Sequence, residues 1–454
     1  MNTHYGIIKF FRNIQIKGIL IACCLLVAQS VQGNAFEDYL GKPEPDFHWQ
    51  PTMLLKDSWG SIGYYELISQ TWRGHKWSHH LVIVKPNSIR NPDIALLQIS
   101  GDGTGDKQIA NLKTLAERGG AVTAVLMNVP NQPFYDNRRE DALIAYTLNQ
   151  YLKSGDETWP LLFPMVKSAI KAMDAIQDIV NTDAKQKIIQ FVVTGASKRG
   201  WTTWLTAAVD DRVTAIAPMV IDTLNMKAQL QWSEQIYGKQ SSKIKDYTEL
   251  NLHQKMDSEA MQKLQSWIDP YAYVRRFTMP KLLLLGTNDP YWTVDSLRLY
   301  RNDLPDPKLI YQTPNAGHDL NGGGQALQTL AAFFELIANH KAIPKIDWQF
   351  NPADKGHQTA QLDSNEHATA IRLWSAHSDD RDFRDNQWTT QTLKVTQGSS
   401  HAKTSITVPK SGYQASLMEI ELKTDTGHPF ELSTQVQVSP DTKPCGCWAK
   451  GVKQ

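Results

Sequence analysis

Short apolar runs recur between residues 64 and 312, and longer helix-prone segments separate them. The runs are bounded by Gly, Pro and Asn, as expected for strands that are buried on both faces. Alternation of strands with helices predicts a mostly parallel sheet that is covered on both sides. The predicted strands are 64–70, 80–85, 94–99, 121–127, 187–193, 213–219, 281–285 and 308–312.

The predicted helices lie between these strands, at 141–152, 165–180, 198–209, 294–302 and 325–340. One connection is different, because the chain from about 222 to 278 is polar and helix-prone over its whole length. So long an excursion between two strands is typical of a lid over a binding site. We therefore expect an α/β domain over 34–344 with a helical lid at 222–278.

The pattern changes after Pro344. Apolar and polar residues alternate with a period of two in several short segments, which is typical of strands in an antiparallel sheet. We expect a small C-terminal β-sandwich of the immunoglobulin or fibronectin type over 345–440, and a tail over 441–454. The predicted strands of the sandwich are 369–374, 404–408, 417–422 and 433–438.

Residues 1–33 have the organisation of a secretory signal peptide. Three basic residues and no acidic residue precede an apolar stretch at 18–28, and small residues follow at Gly33 and Ala35. The stretch is shorter than the about 20 residues that span a bilayer. We expect a periplasmic or secreted protein without a stable membrane span in its mature form. A lipoprotein anchored at Cys23, which ends a lipobox-like string, is the alternative.

Charge and composition exclude several classes of protein. The 454 residues include 47 Lys+Arg and 46 Asp+Glu, and 41% are hydrophobic. A chain of this length and composition forms about two or three globular domains. The balanced charge provides no basic surface for nucleic acid, so we expect no nucleic-acid partner. Nothing in the sequence specifies an oligomeric state.

Four cysteines are too few for a disulfide scaffold in a chain of this length. Export removes two of them and leaves Cys445 and Cys447 near the carboxyl end. Such a pair can form a strained disulfide, bind a soft metal or have no role. No histidine or second cysteine pair stands nearby to complete a zinc site, so we expect an ordinary tail. We therefore expect no metal and no cofactor.

One turn contains the residues that nucleophilic catalysis requires. The strand at 187–193 continues through Gly195-Ala-Ser197-Lys-Arg-Gly200 into a predicted helix. A serine between glycines at a strand–turn–helix junction is typical of a nucleophile elbow, where the helix N-terminus directs amide N–H groups at a developing oxyanion. The alternative is an ordinary serine helix cap, because Arg199 stands where this motif has its second glycine.

Two further residues complete a candidate catalytic triad. Asp289 follows one core strand, and His318 lies in the loop after the next. Serine needs a histidine to take its proton, and an acid orients that histidine. The order Ser, Asp, His is that of α/β-hydrolases, so we predict an α/β-hydrolase-type fold with Ser197, Asp289 and His318 as the triad. Asp222, which follows the strand at 213–219, is the alternative acid.

An oxyanion site needs a second donor from an early loop. The glycine-rich loop 100–107 follows the strand at 94–99 and matches neither nucleotide-binding spacing nor a calcium loop. We expect the oxyanion to be bound by backbone N–H groups. The candidate donors are Lys198, Gly101, Asp102 and Gly103.

Arg199, Trp201 and Trp292 are candidates for contact with substrate. Arg199 follows Ser197 by two residues, where a cation can hold an anionic group of the substrate. A pair of solvated charges in the first turn of a helix is the alternative for Lys198 and Arg199. Packing in the core and under the lid is the alternative for the tryptophans.

Several strings resemble the PhoPQ-activated pathogenicity-related family of secreted bacterial proteins. The most specific is Gly195-Ala-Ser-Lys-Arg-Gly-Trp-Thr-Thr-Trp204, and the resemblance runs through most of 36–440. The other strings that carry it are 69–72, 128–133, 140–146, 159–161, 173–177, 269–271 and 286–289.

The resemblance implies an α/β-hydrolase-like fold with a C-terminal sandwich-like region, and it implies Ser197, Asp289 and His318 as the triad. It also implies envelope biology linked to virulence and antimicrobial-peptide resistance. The Gly-x-Ser-x-x-Gly turn is similar to that of glucuronoyl esterases, which favours carboxylic-ester chemistry. We expect a secreted serine hydrolase acting on a small-molecule or peptide substrate. A serine exopeptidase of the aminopeptidase type is one alternative, and a non-catalytic pseudo-hydrolase that binds an envelope or host partner is another.

Overall fold

A computed structural model describes residues 34–183, 185, 187–352, 354, 356–394 and 400–444. The predicted signal peptide, the alternative anchor at Cys23 and the pair Cys445 and Cys447 lie outside the described residues. From Ala35 onward the described chain forms one compact unit. Among the helices described, none is both long and apolar enough to cross a bilayer.

The main sheet has nine strands in the spatial order β1-β2-β3-β5-β4-β6-β7-β8-β9. The strands are β1 His48–Lys56, β2 Gly60–Trp72, β3 His75–Pro86, β4 Ile94–Ile99, β5 Val122–Leu126, β6 Gln190–Ala196, β7 Val213–Met219, β8 Lys281–Gly286 and β9 Lys308–Thr313.

Strands β4 to β9 run parallel, whereas β1, β2 and β3 pair antiparallel and β3 is antiparallel to β5. From β2 onward the strands follow chain order except that β5 lies between β3 and β4. This is the strand order of an α/β-hydrolase sheet. The predicted fold class is therefore confirmed. Strand β1 was not predicted, since it is an exposed edge strand that contains Pro51 and lacks a buried face.

Helices cover both faces of this sheet. Side chains alternate across a strand, so Leu97 of β4 packs in the core under one helical layer and Leu96 packs in the core under the other. The first core includes residues of α4 and α5, and the second includes residues of α2 and α9. The helices of these layers are α1 Ala35–Leu40, α2 Ile109–Gly119, α3 Glu140–Ser154, α4 Leu162–Val180, α5 Lys198–Val209 and α9 Gly324–Ala338.

The chain between β7 and β8 is helical. It contains α6 Met226–Tyr237, α7 Lys245–Thr248 and α8 Glu259–Ile268, joined by short 3-10 turns. The segment leaves the carboxyl end of β7, which is parallel to β6, so it starts at the same sheet edge as Ser197. This placement puts α6 to α8 beside the predicted nucleophile.

Antiparallel strands form two small sheets at the carboxyl end, in the orders β10-β11-β14 and β13-β12-β15-β16, with β17 on β15. The sheet that contains β16 lies against α9 and β9, where Thr329 Oγ1 donates to the Glu431 carbonyl at 3.2 Å. The strands are β10 Ile346–Phe350, β11 His357–Ser364, β12 Ala370–Ser378, β13 Thr389–Thr392, β14 His401–Thr407, β15 Tyr413–Lys423, β16 Pro429–Ser433 and β17 Gln437–Ser439.

The prediction of one strand over 433–438 is wrong, because β16 ends at Ser433 and β17 begins at Gln437. The Val436 N–H donates to Gln312 Oε1, and Ser433 Oγ accepts from the Gln312 N–H, both at 2.9 Å. The bond to Gln312 of β9 therefore takes the Val436 N–H, a backbone group that a continuous strand could use for its own sheet.

The predicted helix at 294–302 is also wrong. The structure has two 3-10 turns there, Ser296–Leu299 and Arg301–Asp303. Ser296 Oγ donates to Asp222 Oδ2 at 2.5 Å, and the Asp295 carboxylate accepts from Arg381 at 2.9 Å. These long-range bonds hold the side chains where a continuous helix would not place them.

Candidate active site

Ser197 occupies the tight turn between β6 and α5. Its backbone angles are φ 58° and ψ −127°, a conformation that costs a non-glycine residue about 1–3 kcal/mol. Its side chain makes no capping hydrogen bond to the helix, so the helix-cap interpretation of this serine is wrong. A strained serine between strand and helix is the geometry of a nucleophile elbow.

Two glycines allow the strand and the helix to approach each other around this turn. A Cβ atom at Gly195 would lie 2.7 Å from the Arg199 carbonyl oxygen, and one at Gly200 would lie 2.9 Å from the Gly195 carbonyl oxygen. Real Cβ atoms do not approach backbone so closely. The glycine three residues after Ser197 is therefore required by packing in this version of the elbow.

His318 and Asp289 form a hydrogen-bonded pair. Asp289 follows β8 and His318 follows the neighbouring strand β9, so both lie at the carboxyl edge of the sheet. His318 Nδ1 and Asp289 Oδ2 are 2.8 Å apart, and the Asp289 carboxylate is almost fully buried. This contact orients the imidazole in the way a catalytic acid does.

Tyr291 supports the same pair from two directions. Its backbone N–H donates to Asp289 Oδ1 at 3.0 Å, and its ring stacks on the His318 ring with centroids 4.2 Å apart. Burial, together with nearby carboxylates, raises the pKa of Tyr291 to about 12, so the phenol stays neutral. Tyr291 thus contacts both members of the pair, and the sequence did not indicate it, because a tyrosine two residues after an aspartate has no distinctive pattern.

The other imidazole nitrogen, His318 Nε2, is buried and has no hydrogen-bond partner within the described part of the chain. Buried polar groups nearly always have a partner, so such a nitrogen indicates a place for an incoming group. The structure joins Asp289 to His318 but does not join His318 to Ser197 by a hydrogen bond. Catalytic contacts of this kind commonly tighten when substrate binds.

Asp222, the alternative acid, is not brought to His318. Its Oδ2 atom accepts a hydrogen bond from Ser296 Oγ, and burial raises its pKa to about 6. A carboxyl with a raised pKa is less suited than an ionised one to stabilise an imidazolium. Between the two candidate acids, the geometry favours Asp289.

Trp201 and Trp292 line a cavity together with Ser197 and Lys198. The cavity has a volume of about 150 Å³. The indole N–H of Trp201 donates to the Ile268 carbonyl at 2.6 Å, which ties α5 to the end of α8. Both predicted tryptophans therefore border the space beside the serine, and one of them also holds the helical segment in place.

A sequence model of the PhoPQ-activated pathogenicity-related protein family matches residues 36–384, which is most of the chain. The chain belongs to this family. The resemblance seen in the sequence is thereby confirmed. Autocrine proliferation repressor protein A of Dictyostelium discoideum is 27% identical over 470 residues, covering 94% of this chain and 95% of that protein.

Three solved structures of esterases are similar to this PhoPQ-related protein. Acetyl xylan esterase 1 from Thermoanaerobacterium sp. JW/SL YS485 is 17% identical with a TM-score of 0.48, over 67% of this chain and 92% of that one. The Paenibacillus sp. R4 acetyl xylan esterase is 15% identical with a TM-score of 0.45, over 67% and 95%. A glucuronoyl esterase from Solibacter usitatus is 11% identical with a TM-score of 0.39, over 65% and 87%.

In this PhoPQ-related protein the two cations after Ser197 are already paired. Lys198 Nζ lies 2.9 Å from Glu140 and 3.2 Å from Asp141, and Arg199 forms a two-pronged pair with Glu140 at 2.6 and 2.7 Å. Burial raises the pKa of Glu140, but Arg199 and Lys198 outweigh it and bring the pKa down to about 2. The interpretation of two solvated charges is wrong. The Arg199 guanidinium is engaged by Glu140, and the predicted contact of Arg199 with substrate stays a prediction.

The glycine-rich loop lies against the same arginine. A Cβ atom at Gly101 would be 2.6 Å from Arg199 Nη2, so the loop reaches the start of α5. The Gly103 N–H donates to Asn128 Oδ1 at 3.2 Å, and the Asp102 carboxylate accepts from Arg139 at 2.7 Å. Gly103 is therefore engaged elsewhere. Lys198, as the first residue of α5, has no acceptor within its helix for its N–H.

The segment 379–388, between β12 and β13, clamps the two loops that carry Asp289 and His318. Asn288 Nδ2 lies within hydrogen-bonding distance of three carbonyls of this segment, at 2.7 to 3.2 Å. Asn315 makes two bonds with the backbone of Trp388, at 2.7 and 3.0 Å. The family match ends at residue 384, inside this segment. Asparagines are common in loops, so the sequence did not indicate this clamp.

We expect Asn288→Ala to lower kcat at this site by about 10- to 100-fold while KM stays nearly unchanged, because small shifts of a reacting group reduce rate more than binding. The clamp acts on the loop that holds Asp289 and does not touch the cavity. Steady-state kinetics with a soluble ester measures both constants. Asn365→Ala, which removes a hydrogen bond to Lys345 elsewhere in the C-terminal region, is the matched control. Equal losses in both variants would show a purely structural role.

Proposed function

We propose that this protein is a serine hydrolase that cleaves carboxylic esters. The observation that carries the proposal is the His318–Asp289 pair at 2.8 Å, set at the same sheet edge as the strained Ser197. Tyr291 connects the two parts, because it stacks on His318 and lines the cavity that Ser197 borders.

In the proposed reaction, Ser197 Oγ attacks the ester carbonyl carbon while His318 Nε2 takes the hydroxyl proton. The Lys198 N–H stabilises the oxyanion. The bond between carbon and alcohol oxygen then breaks, and His318 returns its proton to the leaving alcohol. His318 then takes a proton from water, whose oxygen attacks the acyl carbon. The bond from that carbon to Ser197 Oγ breaks, His318 returns the proton to Ser197 Oγ, and the carboxylic acid leaves. Asp289 stabilises the imidazolium at both stages.

Labelling with a fluorophosphonate probe tests the activated serine. We expect the mature protein to be labelled and Ser197→Ala to remain unlabelled. Ser154→Ala, which removes an exposed serine at the end of α3, is the matched control and should label like the wild type. A folded wild-type protein that resists the probe would count against the proposal.

A non-catalytic pseudo-hydrolase is the second candidate. The absence of a hydrogen bond from His318 Nε2 to any described residue favours it, since the base and the serine are not joined. A relative whose name describes repression of proliferation is compatible with such a binding role. Hydrolysis that depends on Ser197 would exclude this candidate, and a parallel screen of aminoacyl anilides would separate ester chemistry from an exopeptidase.

Export through the signal peptide at 1–33 and a role in pathogenicity are part of the proposal. Export is proposed from the pattern of residues 1–33, and the role in pathogenicity is proposed from the description of the family. Amino-terminal sequencing of the protein recovered outside the cytoplasm tests export, with Asn34 or Phe36 expected as the first residue.

A further inference from the structure

The cavity beside Ser197 is enclosed largely by apolar side chains of the helical segment between β7 and β8. Methionines and leucines from α6, α8 and the turns between them form much of its wall. Methionine side chains are flexible and adapt to irregular apolar groups. The members that matter here are Met226, Leu230, Leu252, Met256 and Met261.

Among the described residues of the wall, the acidic and basic side chains are paired, and four buried polar atoms have no hydrogen-bond partner: Gln240 Oε1, His253 Nδ1, Trp292 Nε1 and Thr293 Oγ1. Asp141 and Lys198 are the acidic and the basic residue that line the cavity together with Ser197. Lys198 Nζ lies 3.2 Å from Asp141 Oδ2, so the two side chains form an ion pair. Tyr247 donates a further hydrogen bond to Asp141 at 3.0 Å. A carboxylate or ammonium group of a ligand would therefore have to break an existing ion pair, whereas a hydrocarbon group would not.

The volume limits the size of this group. At about 150 Å³, the cavity matches the size of an engineered apolar cavity that binds benzene. A group of about six carbon atoms fills such a space. An acetyl group would leave most of it empty, and a chain of about twelve carbon atoms would extend beyond it.

The position of the cavity distinguishes the two halves of an ester. Ser197 lines the cavity, whereas His318 does not. The leaving alcohol receives its proton from the histidine, so it must lie on the His318 side. The acyl group, which stays bonded to Ser197 Oγ, is the half that can extend into the cavity.

We propose that this cavity is the acyl-binding site and selects esters of apolar acids of about six carbon atoms. The proposal rests on the proposed ester hydrolysis at Ser197. The methionines and leucines from α6, α8 and the intervening turns determine acyl specificity, and the alcohol half of the substrate lies outside the cavity.

Hydrolysis of p-nitrophenyl acetate, butanoate, hexanoate, octanoate and dodecanoate tests the proposal. Each added methylene should raise kcat/KM about fourfold, or about 200-fold from acetate to hexanoate, and dodecanoate should fall again. A flat profile, or a maximum at acetate, would overturn the acyl site while leaving ester hydrolysis intact. A folded protein that cleaves none of the five esters would instead count against the proposed function.

Variants place the preference in the cavity. Met261→Ala should enlarge it and raise the ratio of octanoate to hexanoate kcat/KM about tenfold. Met53→Ala, which removes an exposed methionine from β1, is the matched control and should leave the ratio unchanged. If Met261→Ala does not fold, Leu230→Ala, at a partly buried position of the same wall, replaces it. An unchanged ratio in a folded variant would overturn the assignment.

A series of alcohols distinguishes the two halves of the substrate. Methyl, ethyl and butyl hexanoate should differ by only a few-fold, since the alcohol lies outside the cavity. A rise with alcohol length as steep as the rise expected for the acyl series would place the leaving group in the cavity and overturn the proposal.

Discussion

Replacement of Ser197 by alanine is expected to lower kcat for ester hydrolysis about 10⁶-fold, because the reaction loses the atom that forms the acyl-enzyme. Alanine has a Cβ atom as serine does and so bears the same backbone strain, and the serine side chain makes no capping bond to lose, so the stability of the variant should change little. Stopped assays over long incubation times, with thermal unfolding measured in parallel, would quantify the loss.

Ser154→Ala, which removes an exposed serine at the end of α3, is the control for this loss. We expect it to keep kcat within a few-fold of the wild type. A Ser197→Ala variant with wild-type activity would show that another group carries the chemistry or that hydrolysis comes from a contaminant.

The second large effect is expected for Asp289→Asn, which should lower kcat about 10⁴-fold. The amide presents its N–H₂ or its oxygen to His318 Nδ1 but cannot hold a negative charge beside the imidazolium. We therefore expect the two side chains to stay in contact, as at the 2.8 Å of the wild type, while the imidazolium loses its charge stabilisation.

Asp222→Asn provides the comparison that decides between the two candidate acids. Asp222 bonds to Ser296 rather than to His318, so we expect its amide variant to keep kcat within about tenfold. Measuring both variants on the same ester separates the acids, and folding is checked by thermal unfolding. Equal losses in kcat would contradict the assignment of Asp289 as the triad acid.

The core of the fold was predictable because its local patterns agree with its tertiary role. Strands β4 and β7 have the predicted bounds, because their continuous apolar runs have the length expected for buried strands. Helix α5 also has the predicted bounds. Prediction failed at 294–302 and 433–438. At 294–302 the Ser296 side chain bonds to Asp222, and at 433–438 the Val436 N–H bonds to the Gln312 side chain, so contacts with residues distant in sequence compete with the local pattern.

The sequence was sufficient to name the three residues of the candidate triad but not the contacts of the charged residues beside them. Ser197, Asp289 and His318 each follow a core strand, and parallel strands bring their carboxyl ends to one edge. The pairing of Arg199 with Glu140 was not predictable, because a cation after a nucleophile has the same pattern whether it binds substrate or a neighbouring acid.

The amino-acid sequence by itself determined the α/β class, the elbow and the three residues of the candidate triad. These features depend on local runs and on the order of strands, both of which are written along the chain. Tertiary structure alone decided which acid meets the histidine, that Arg199 is neutralised, and that segment 379–388 holds the loops of Asp289 and His318. Such contacts join residues that are tens to about one hundred positions apart, and their geometry depends on how whole elements pack rather than on any local pattern.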